Sequence, residues 1–223
     1  GGFLLAEVIE RVSGRDLQTW LREEIREPLG FEHFAFGVSE AILPQVAVES
    51  FTGPTPRLGL DHFLERSLGV GMVQAVELSN DPRFRTAVIP SGNIIATANE
   101  VGRFFELLLR RGALDGVRCF EERTVNRATA EGHVPEVDRV ILLPLRYSMG
   151  FMLGNDRLSF YGAKSPRAFG HLGFTNVLAY ADPERDISVA IMNNGKPFIT
   201  PRLLAWLAVP RAIARTIPRT PMP

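Results

Sequence analysis

One histidine of this sequence stands among glycines and apolar residues, in the segment Phe169-Gly170-His171-Leu172-Gly173-Phe174. An imidazole that is neutral near pH 7 can accept or donate a hydrogen bond, which suits a group that moves protons at a reacting centre. His171 is therefore the first candidate for a functional side chain. The alternative interpretation is a structural histidine whose hydrogen bonds are satisfied within the fold.

The other side chains with reactive chemistry have plainer interpretations. Ser91 stands beside a glycine in a turn-forming stretch, which favours a turn role over catalysis. Cys119 has no second cysteine to pair with, and a partly buried small residue in a turn is the simpler interpretation. The spacing of His33, His62 and His133 matches no metal-binding motif, so we expect no metal and no cofactor.

The composition excludes several classes of function. Of the 223 residues, 45% are hydrophobic and 22% are charged, which is typical of a globular protein. The formal net charge is zero, which argues against a surface for nucleic acid or anionic membranes. No apolar run reaches the roughly 18 residues of a membrane-spanning helix. The sequence opens on Gly1 without a methionine or a signal-peptide pattern, so we expect it to be cut from a longer chain.

Helical spacing and capping residues predict several helices. Apolar residues from Leu4 to Val12 recur at helical spacing, and Gly14 follows as a stop signal. Asp16 is placed to cap a second helix, and Thr97 with Glu100 forms a capping box before a third. Two further helices are predicted over 121–131 and from Thr200-Pro201 onward, the latter kinked or broken at Pro210.

Residues 31–90 are rich in proline, glycine and short apolar runs, with a possible short helix over 61–68. So long a stretch without periodicity is typical of a functional lid or an insertion, and it could contribute to a substrate pocket. A decorative excursion is the alternative.

The period changes from helical to strand-like after residue 145. Strands are predicted over 147–153, 168–171, 176–180 and 187–192, and Asp182-Pro183-Glu184-Arg185 is a turn that makes the last two an antiparallel hairpin. The expected fold class is α+β, an antiparallel sheet flanked by helices in a single domain over 1–217, with a frayed tail at 218–223.

Three segments in order resemble the serine β-lactamase-like hydrolases, which include class C β-lactamases, esterases and DD-peptidases. Residues 2–31 resemble the helix pair after that family's second motif, and residues 90–116 resemble its later glycine turn and long helix. Tyr147-Gly150 and the run FGHLGFTNVLAYADPERDISVAIMNN at 169–194 resemble the strand that carries its third motif. The resemblance is weakest over 31–89.

The resemblance implies a serine nucleophile in a Ser-x-x-Lys motif and a proton-moving tyrosine in Tyr-x-Asn, which together form an acyl-enzyme. This sequence contains neither motif. No serine stands three residues before Lys164 or Lys196, and no asparagine stands two residues after any of its three tyrosines. The residues found at those positions are Tyr161, Asn193, Met149, Ala163 and Asp182.

The resemblance also assigns roles to the segment around His171. His171 becomes the catalytic candidate, on an edge strand that lines the far wall of the site. Gly173 lets a small acyl substrate lie flat, and the Phe174 N–H becomes a donor of the oxyanion hole. Leu172 replaces a residue that is usually threonine, serine or glycine, and the lost hydroxyl favours an ester or amide of low anionic charge.

We therefore expect the C-terminal portion of one β-lactamase-like domain, incomplete at its N-terminal side and inactive alone. The missing part of the domain would pack against the final helix and the hairpin at 176–192, leaving a large exposed hydrophobic patch there. A non-catalytic relative that binds a ligand in the same pocket is the alternative. A helical interaction module is a weaker one, disfavoured by the hairpin.

Overall fold

The computed structural model describes residues 1–54, 69–132, 136–138, 144–157, 159–197 and 205–220. The predicted helix over 61–68, the start of the final helix at 200–204, and His62 and His133 lie outside these ranges. The α-helices are α1 (Gly2–Ser13), α2 (Leu17–Leu21), α3 (Met72–Ser79), α4 (Pro82–Thr86), α5 (Ala98–Leu109), α6 (Glu122–Thr129) and α7 (Ala208–Thr216). The strands are β1 (Ala35–Phe36), β2 (Ser50–Phe51), β3 (Ile94–Ile95), β4 (Ala113–Leu114), β5 (Val117–Arg118), β6 (Glu136–Val137), β7 (Pro144–Tyr147), β8 (Met152–Leu153), β9 (Phe169–Leu172), β10 (Leu178–Asp182), β11 (Ile187–Ile191) and β12 (Gly195–Lys196).

The main sheet is antiparallel and has six strands in the order β11-β10-β9-β8-β7-β6. Every residue of β10 is buried: Ala179 and Ala181 pack toward α5 while Leu178 and Tyr180 pack on the opposite face. The strand period of two therefore buries both faces of β10. The turn at 182–185 joins β10 to β11 antiparallel, as the sequence predicted.

Helix α5 lies between the sheet and the first helices. Phe105 and Leu108 pack with Phe169 of β9 on one side of it, and Leu107 packs with Leu21 and other apolar residues on the other side. The predicted capping box is present: Glu100 N–H donates to Thr97 Oγ1 (3.2 Å), and Thr97 N–H donates to Glu100 Oε2 (2.8 Å). This helix is the layer against which β10 and β11 pack.

The predictions for the first two helices are confirmed. Gly14 ends α1 with a φ of 68°, a left-handed conformation that costs glycine little. The Asp16 carboxylate accepts the Thr19 N–H at 2.9 Å and caps α2. A turn of π-helix, Arg22–Arg26, continues α2 and brings Ile25 into the core.

All four predicted strands differ in their bounds: those over 168–171 and 187–192 differ by one residue from β9 and β11, and the other two differ more. The strand predicted over 147–153 is a hairpin, β7 and β8, because Ser148 N–H donates to Phe151 O and Ser148 Oγ accepts the Phe151 N–H. The strand predicted from Asn176 begins at Leu178 instead, because residues 173–177 form a turn closed by the Gly173 N–H and Val177 O (2.9 Å).

Among the described residues, the exposed apolar surface is concentrated on α1, while β10 is buried throughout. The most exposed side chains of α1 are Phe3 (67%), Leu4 (75%), Leu5 (66%), Val8 (56%) and Val12 (83%). Near the hairpin and on the final helix, Met192 (41%) and Val209 (44%) are exposed. The first residues of that helix, 200–204, lie outside the described ranges, so the patch expected there stays a prediction.

The end of the chain contacts the main sheet's hairpin. Pro210 lies in the first turn of α7, where the missing N–H has no helical acceptor to lose, and the helix is interrupted just before it at Leu207. The Thr220 N–H donates to Glu184 O at 2.7 Å, and Arg219 pairs with the Glu184 carboxylate. The α+β class is confirmed: helices flank an antiparallel sheet.

We predict that Glu100→Gln lowers the free energy of unfolding by about 2 kcal/mol at neutral pH. The Glu100 carboxylate also accepts the N–H groups of Glu32 (2.6 Å) and His33 (2.7 Å) on Oε1, and the amide of glutamine would turn a donor either toward these two N–H groups or toward that of Thr97. Burial raises the pKa of Glu100, but the N–H donors, His33 and Thr97 first, outweigh burial and hold it below its usual value. The stabilisation is thus present above the unfolded-state pKa and lost as the pH falls through the folded-state pKa.

Urea unfolding at neutral pH and below pH about 4 measures the effect, with Glu106→Gln as the control because Glu106 reaches only Arg110, at 3.8 Å. The difference between Glu100→Gln and the unaltered chain should narrow in acid. Equal stability of the two at neutral pH would contradict this account.

Candidate active site

His171 lies at the end of β9 with its ring exposed. Its Cα partner across the ladder is Ala179 of β10, and its Nδ1 lies 2.6 Å from Leu172 O. Strand β9 lies between β8 and β10, so it is not an edge strand of the sheet as the sequence suggested. The β8 ladder stops at the pair Met152–Gly170, however. His171 is one residue beyond this pair, so it has no partner residue on β8.

Gly170 allows β9 to approach β10 closely at this point. A Cβ on Gly170 would lie 2.2 Å from Ala179 O and 2.5 Å from Tyr180 Cβ. Both contacts are far shorter than van der Waals separation, so only glycine fits beside His171. The backbone of the strand, and with it the imidazole, is set by this contact.

Leu172 and Gly173 have different surroundings from each other. The Leu172 side chain is half-buried and packs with Leu178 and Tyr180, on the face of the sheet away from α5. Gly173 is exposed, and a Cβ there would lie 2.8 Å from Val177 Cγ1. The exposed strip of backbone at this end of β9 is therefore Gly173, while the leucine belongs to the core.

Phe174 connects the motif to the segment at 31–90. Its ring packs against Met72 and Val76 of α3, and Phe51 of β2 packs against the same two residues. Within the described part of the chain its N–H has no hydrogen-bond acceptor. A free N–H beside an exposed glycine is the arrangement that an oxyanion donor requires.

The next two residues adopt left-handed backbone conformations, with φ of 24° at Thr175 and 55° at Asn176. Such conformations are costly for residues other than glycine and persist where the surroundings hold them. Asn176 Nδ2 donates to Gly195 O at 3.1 Å, which ties the turn to β12. Thr175 Oγ1 and Asn176 Oδ1 are buried without a hydrogen-bond partner among the described residues.

A buried ion pair, which the sequence did not predict, contacts this turn. Lys196 Nζ is 3.1 Å from Glu49 Oε1, and the lysine and glutamate side chains are 2% and 25% exposed. The ammonium also donates to Asn193 O at 2.9 Å and to Thr175 O at 3.5 Å. The pair joins β12 to β2, which run parallel with Phe51 beside Lys196. The one signal in the sequence was that Lys196 is one of only two lysines.

The remaining candidates keep their structural interpretations. Burial and then the nearby Glu24 carboxylate raise the pKa of the Cys119 thiol, which disfavours the reactive thiolate. Ser91 has a φ of 68° in an exposed turn. Within the described ranges no three histidine, cysteine, aspartate or glutamate residues are grouped as metal ligands would be, and no helix is long and apolar enough to cross a membrane.

A family model described as β-lactamase matches residues 1–212. The chain therefore belongs to the β-lactamase family, and its homologues include proteins named as esterases, β-lactamases and DD-carboxypeptidases.

Two curated relatives illustrate the range of the family. The esterase/β-lactamase LipL of Mycobacterium tuberculosis is 26% identical over 209 residues, which are 86% of this chain and 46% of LipL. An N-acetylmuramyl-L-alanine amidase of Bacillus subtilis is 24% identical over 211 residues, 90% of this chain and 45% of the amidase. The chain thus spans about half the length of the curated relatives it matches.

Solved structures share the fold. A penicillin-binding protein homologue from Caulobacter crescentus superposes with a TM-score of 0.74 at 29% identity, covering 92% of this chain and 55% of the other. EstA from Arthrobacter nitroguajacolicus gives a TM-score of 0.69 at 25% identity, covering 97% of this chain and 59% of EstA. The fold is that of a β-lactamase-like hydrolase.

We predict that Lys196→Met lowers the free energy of unfolding by about 2 kcal/mol, because it leaves the Glu49 carboxylate without its counter-charge. Glu49→Gln in the same chain should recover part of the loss, with a coupling energy of at least about 1 kcal/mol in the double-mutant cycle. Chemical unfolding of the four chains measures this. Lys164→Met, at the exposed lysine, is the control and should change stability by less than about 0.5 kcal/mol. A loss from Lys196→Met no larger than the control's would refute the role of the pair.

Proposed function

We propose that this chain forms one wall of the pocket of a serine acyl hydrolase, and that the nucleophile comes from a segment outside these 223 residues. The observation that carries the proposal is an exposed histidine, His171, three residues before Phe174, whose N–H has no acceptor among the described residues, with the exposed Gly173 between them. An acyl carbonyl that enters there meets a hydrogen-bond donor for its oxygen and a proton-moving group beside it.

The chemistry expected of such a pocket proceeds through an acyl-enzyme. A serine hydroxyl attacks the acyl carbon, the alcohol or amine leaves with a proton, and water then releases the acid. In this scheme the Phe174 N–H stabilises the oxyanion, and His171 is a hydrogen-bond partner in the proton network. Losing one oxyanion donor typically lowers the rate about a hundredfold or more.

Three observations support an outside source for the nucleophile. The chain contains neither Ser-x-x-Lys nor Tyr-x-Asn. The relatives it matches are about twice as long. The face of α1 displays five large apolar side chains to solvent, a surface that in a finished domain is covered. We propose that the segment which carries the nucleophile covers this face.

The substrate class we propose is a small ester or amide of low anionic charge. Leu172 packs into the core and offers no hydroxyl to a carboxylate. Phe174 and Phe51 pack against the buried pair Met72 and Val76, which forms an apolar cluster beside the motif, and three of these four residues belong to the segment at 31–90. That segment would therefore supply the apolar surroundings of the pocket, and the name esterase/β-lactamase of LipL agrees with an esterase.

We predict that the isolated chain neither hydrolyses p-nitrophenyl acetate above background nor reacts with a fluorophosphonate probe, since it holds no activated serine. Intact-mass measurement after incubation with the probe is the assay. Ser91→Ala is the matched variant because Ser91 is an exposed serine in a strained turn. Stoichiometric labelling of the unaltered chain, lost in Ser91→Ala, would place a nucleophile inside the chain and overturn the proposal.

The alternative is a ligand-binding relative without catalysis. The gene sequence ahead of Gly1 distinguishes it from the hydrolase. Ser-x-x-Lys and Tyr-x-Asn in frame ahead of Gly1 would support the hydrolase. A start codon ahead of Gly1 with neither motif would support the ligand-binding protein.

A further inference from the structure

A cavity of about 150 Å³ lies between α7 and the loop that joins β8 to β9. None of the residues of the His171 segment lines it. Its lining is basic and contains no acidic residue: Arg157, Ser159, Ala163, Arg211, Ala214 and Arg215.

The three arginines of this cavity have no ion-pair or side-chain hydrogen-bond partner within the described ranges. Other arginines of the protein do, such as Arg146 with Glu131 at 2.8 Å. Arg211 and Arg215 are exposed and one helical turn apart on α7, a spacing at which like charges are unfavourable. A bound anion would offset this unfavourable spacing.

The walls of the cavity are held together by backbone contacts rather than by mobile side chains. Gly162 has a φ of 98°, and a Cβ there would lie 2.3 Å from Ala214 Cβ and 3.0 Å from Pro210 O. The loop therefore touches α7 directly, which only glycine permits in this conformation.

A buried guanidinium joins the same two walls. Arg185 Nη2 donates to Ala163 O at 3.3 Å and to Ala214 O at 3.1 Å, so one side chain binds both the loop and the helix. Its own charge is balanced by Asp182, at 2.7 Å, with both side chains almost fully buried. The cavity is thus formed before any ligand arrives, and a preformed site loses little entropy on binding.

The lining includes one neutral hydroxyl, that of Ser159. Ser159 Oγ accepts the Tyr161 N–H at 3.1 Å, which leaves the hydroxyl hydrogen free to donate. Guanidinium groups present donors in a fork that matches the oxygens of a phosphate. The volume equals that of about five water molecules at ~30 Å³ each. It is well below the roughly 300 Å³ at which pockets for drug-sized ligands begin, so it suits a single small oxyanion.

We propose that this cavity binds a phosphate group, either as free inorganic phosphate or as a phosphomonoester headgroup at a lipid surface. Arg211, Arg215 and Arg157 supply the positive charge, and the Ser159 hydroxyl supplies a neutral donor. The site is separate from the His171 pocket and does not depend on the hydrolase proposal.

Isothermal titration of the full chain with inorganic phosphate, at constant ionic strength set with sodium chloride, tests the proposal. We expect saturable binding with one site per chain. Arg211→Ala with Arg215→Ala should weaken it at least about tenfold, because two charge-assisted contacts are lost. The matched control is Arg123→Ala with Arg127→Ala, which removes two exposed arginines at the same spacing from α6. The control should bind phosphate as the unaltered chain does. Arg157→Ala, on the loop, is a second test variant that changes no helix residue.

Co-sedimentation with vesicles separates the two sources of the phosphate group. Vesicles of phosphatidic acid in phosphatidylcholine are compared with pure phosphatidylcholine, for the unaltered chain and both double variants. Sedimentation with the phosphatidic acid vesicles that is lost in the α7 double variant but not in the control supports a lipid headgroup. Saturable binding of free phosphate without sedimentation supports the soluble ion. No saturable binding in either assay, or the same loss in both double variants, would overturn the proposal.

Discussion

The close approach of β9 to β10 at Gly170 determines where the candidate residue His171 lies. No side chain fits between Gly170 and the backbone of Ala179 and Tyr180, so the two strands meet at one separation and one register. His171 follows directly, beyond the last paired residue of β8, and its ring is left exposed at the end of a strand that the core holds rigidly. A group placed on such a strand is better positioned than one on a loop.

The turn after β9 depends on a second constraint, the ion pair of Lys196 with Glu49. The Lys196 ammonium donates to the Thr175 carbonyl, and the Asn176 side chain donates to β12. These two hydrogen bonds hold the left-handed conformations of Thr175 and Asn176. Glu49 precedes β2, and Ser79 at the end of α3 donates to its carboxylate at 2.9 Å. The pair therefore connects the segment at 31–90 to the turn that presents Phe174. That connection packs the segment at 31–90 against the candidate site, and its role as a lid or as a decoration stays a prediction.

Local rules predicted much of the fold. The glycine after α1, the Asp16 cap, the capping box of Thr97 and Glu100, and the turn at 182–185 each depend on neighbours in sequence, and each is present. The hairpin inside 147–153 was missed because the Ser148 side chain reverses the chain within a run that alternates like a strand.

Long-range features could not be predicted in this way. The orientation of Leu172 and the pairing of Lys196 with Glu49 depend on segments far apart in the chain, and neither has a short sequence signature. The motif around His171 was found by its resemblance to a family, and the structure adds which of its residues face outward. His171 and Gly173 are exposed, whereas Leu172 packs inward.

The central claim is that His171 acts at the reacting carbonyl of an acyl substrate. The most direct measurement is kcat/KM for p-nitrophenyl acetate in a protein that joins this chain to its nucleophile-bearing segment. His171→Ala should lower kcat/KM about a hundredfold, the typical contribution of a positioned acid or base, without changing the melting temperature. His33→Ala should leave kcat/KM unchanged, since the His33 imidazole lies 3.8 Å from the Glu32 carboxylate and its backbone N–H, which alanine keeps, donates to Glu100. Equal kcat/KM values for the two variants would contradict the account.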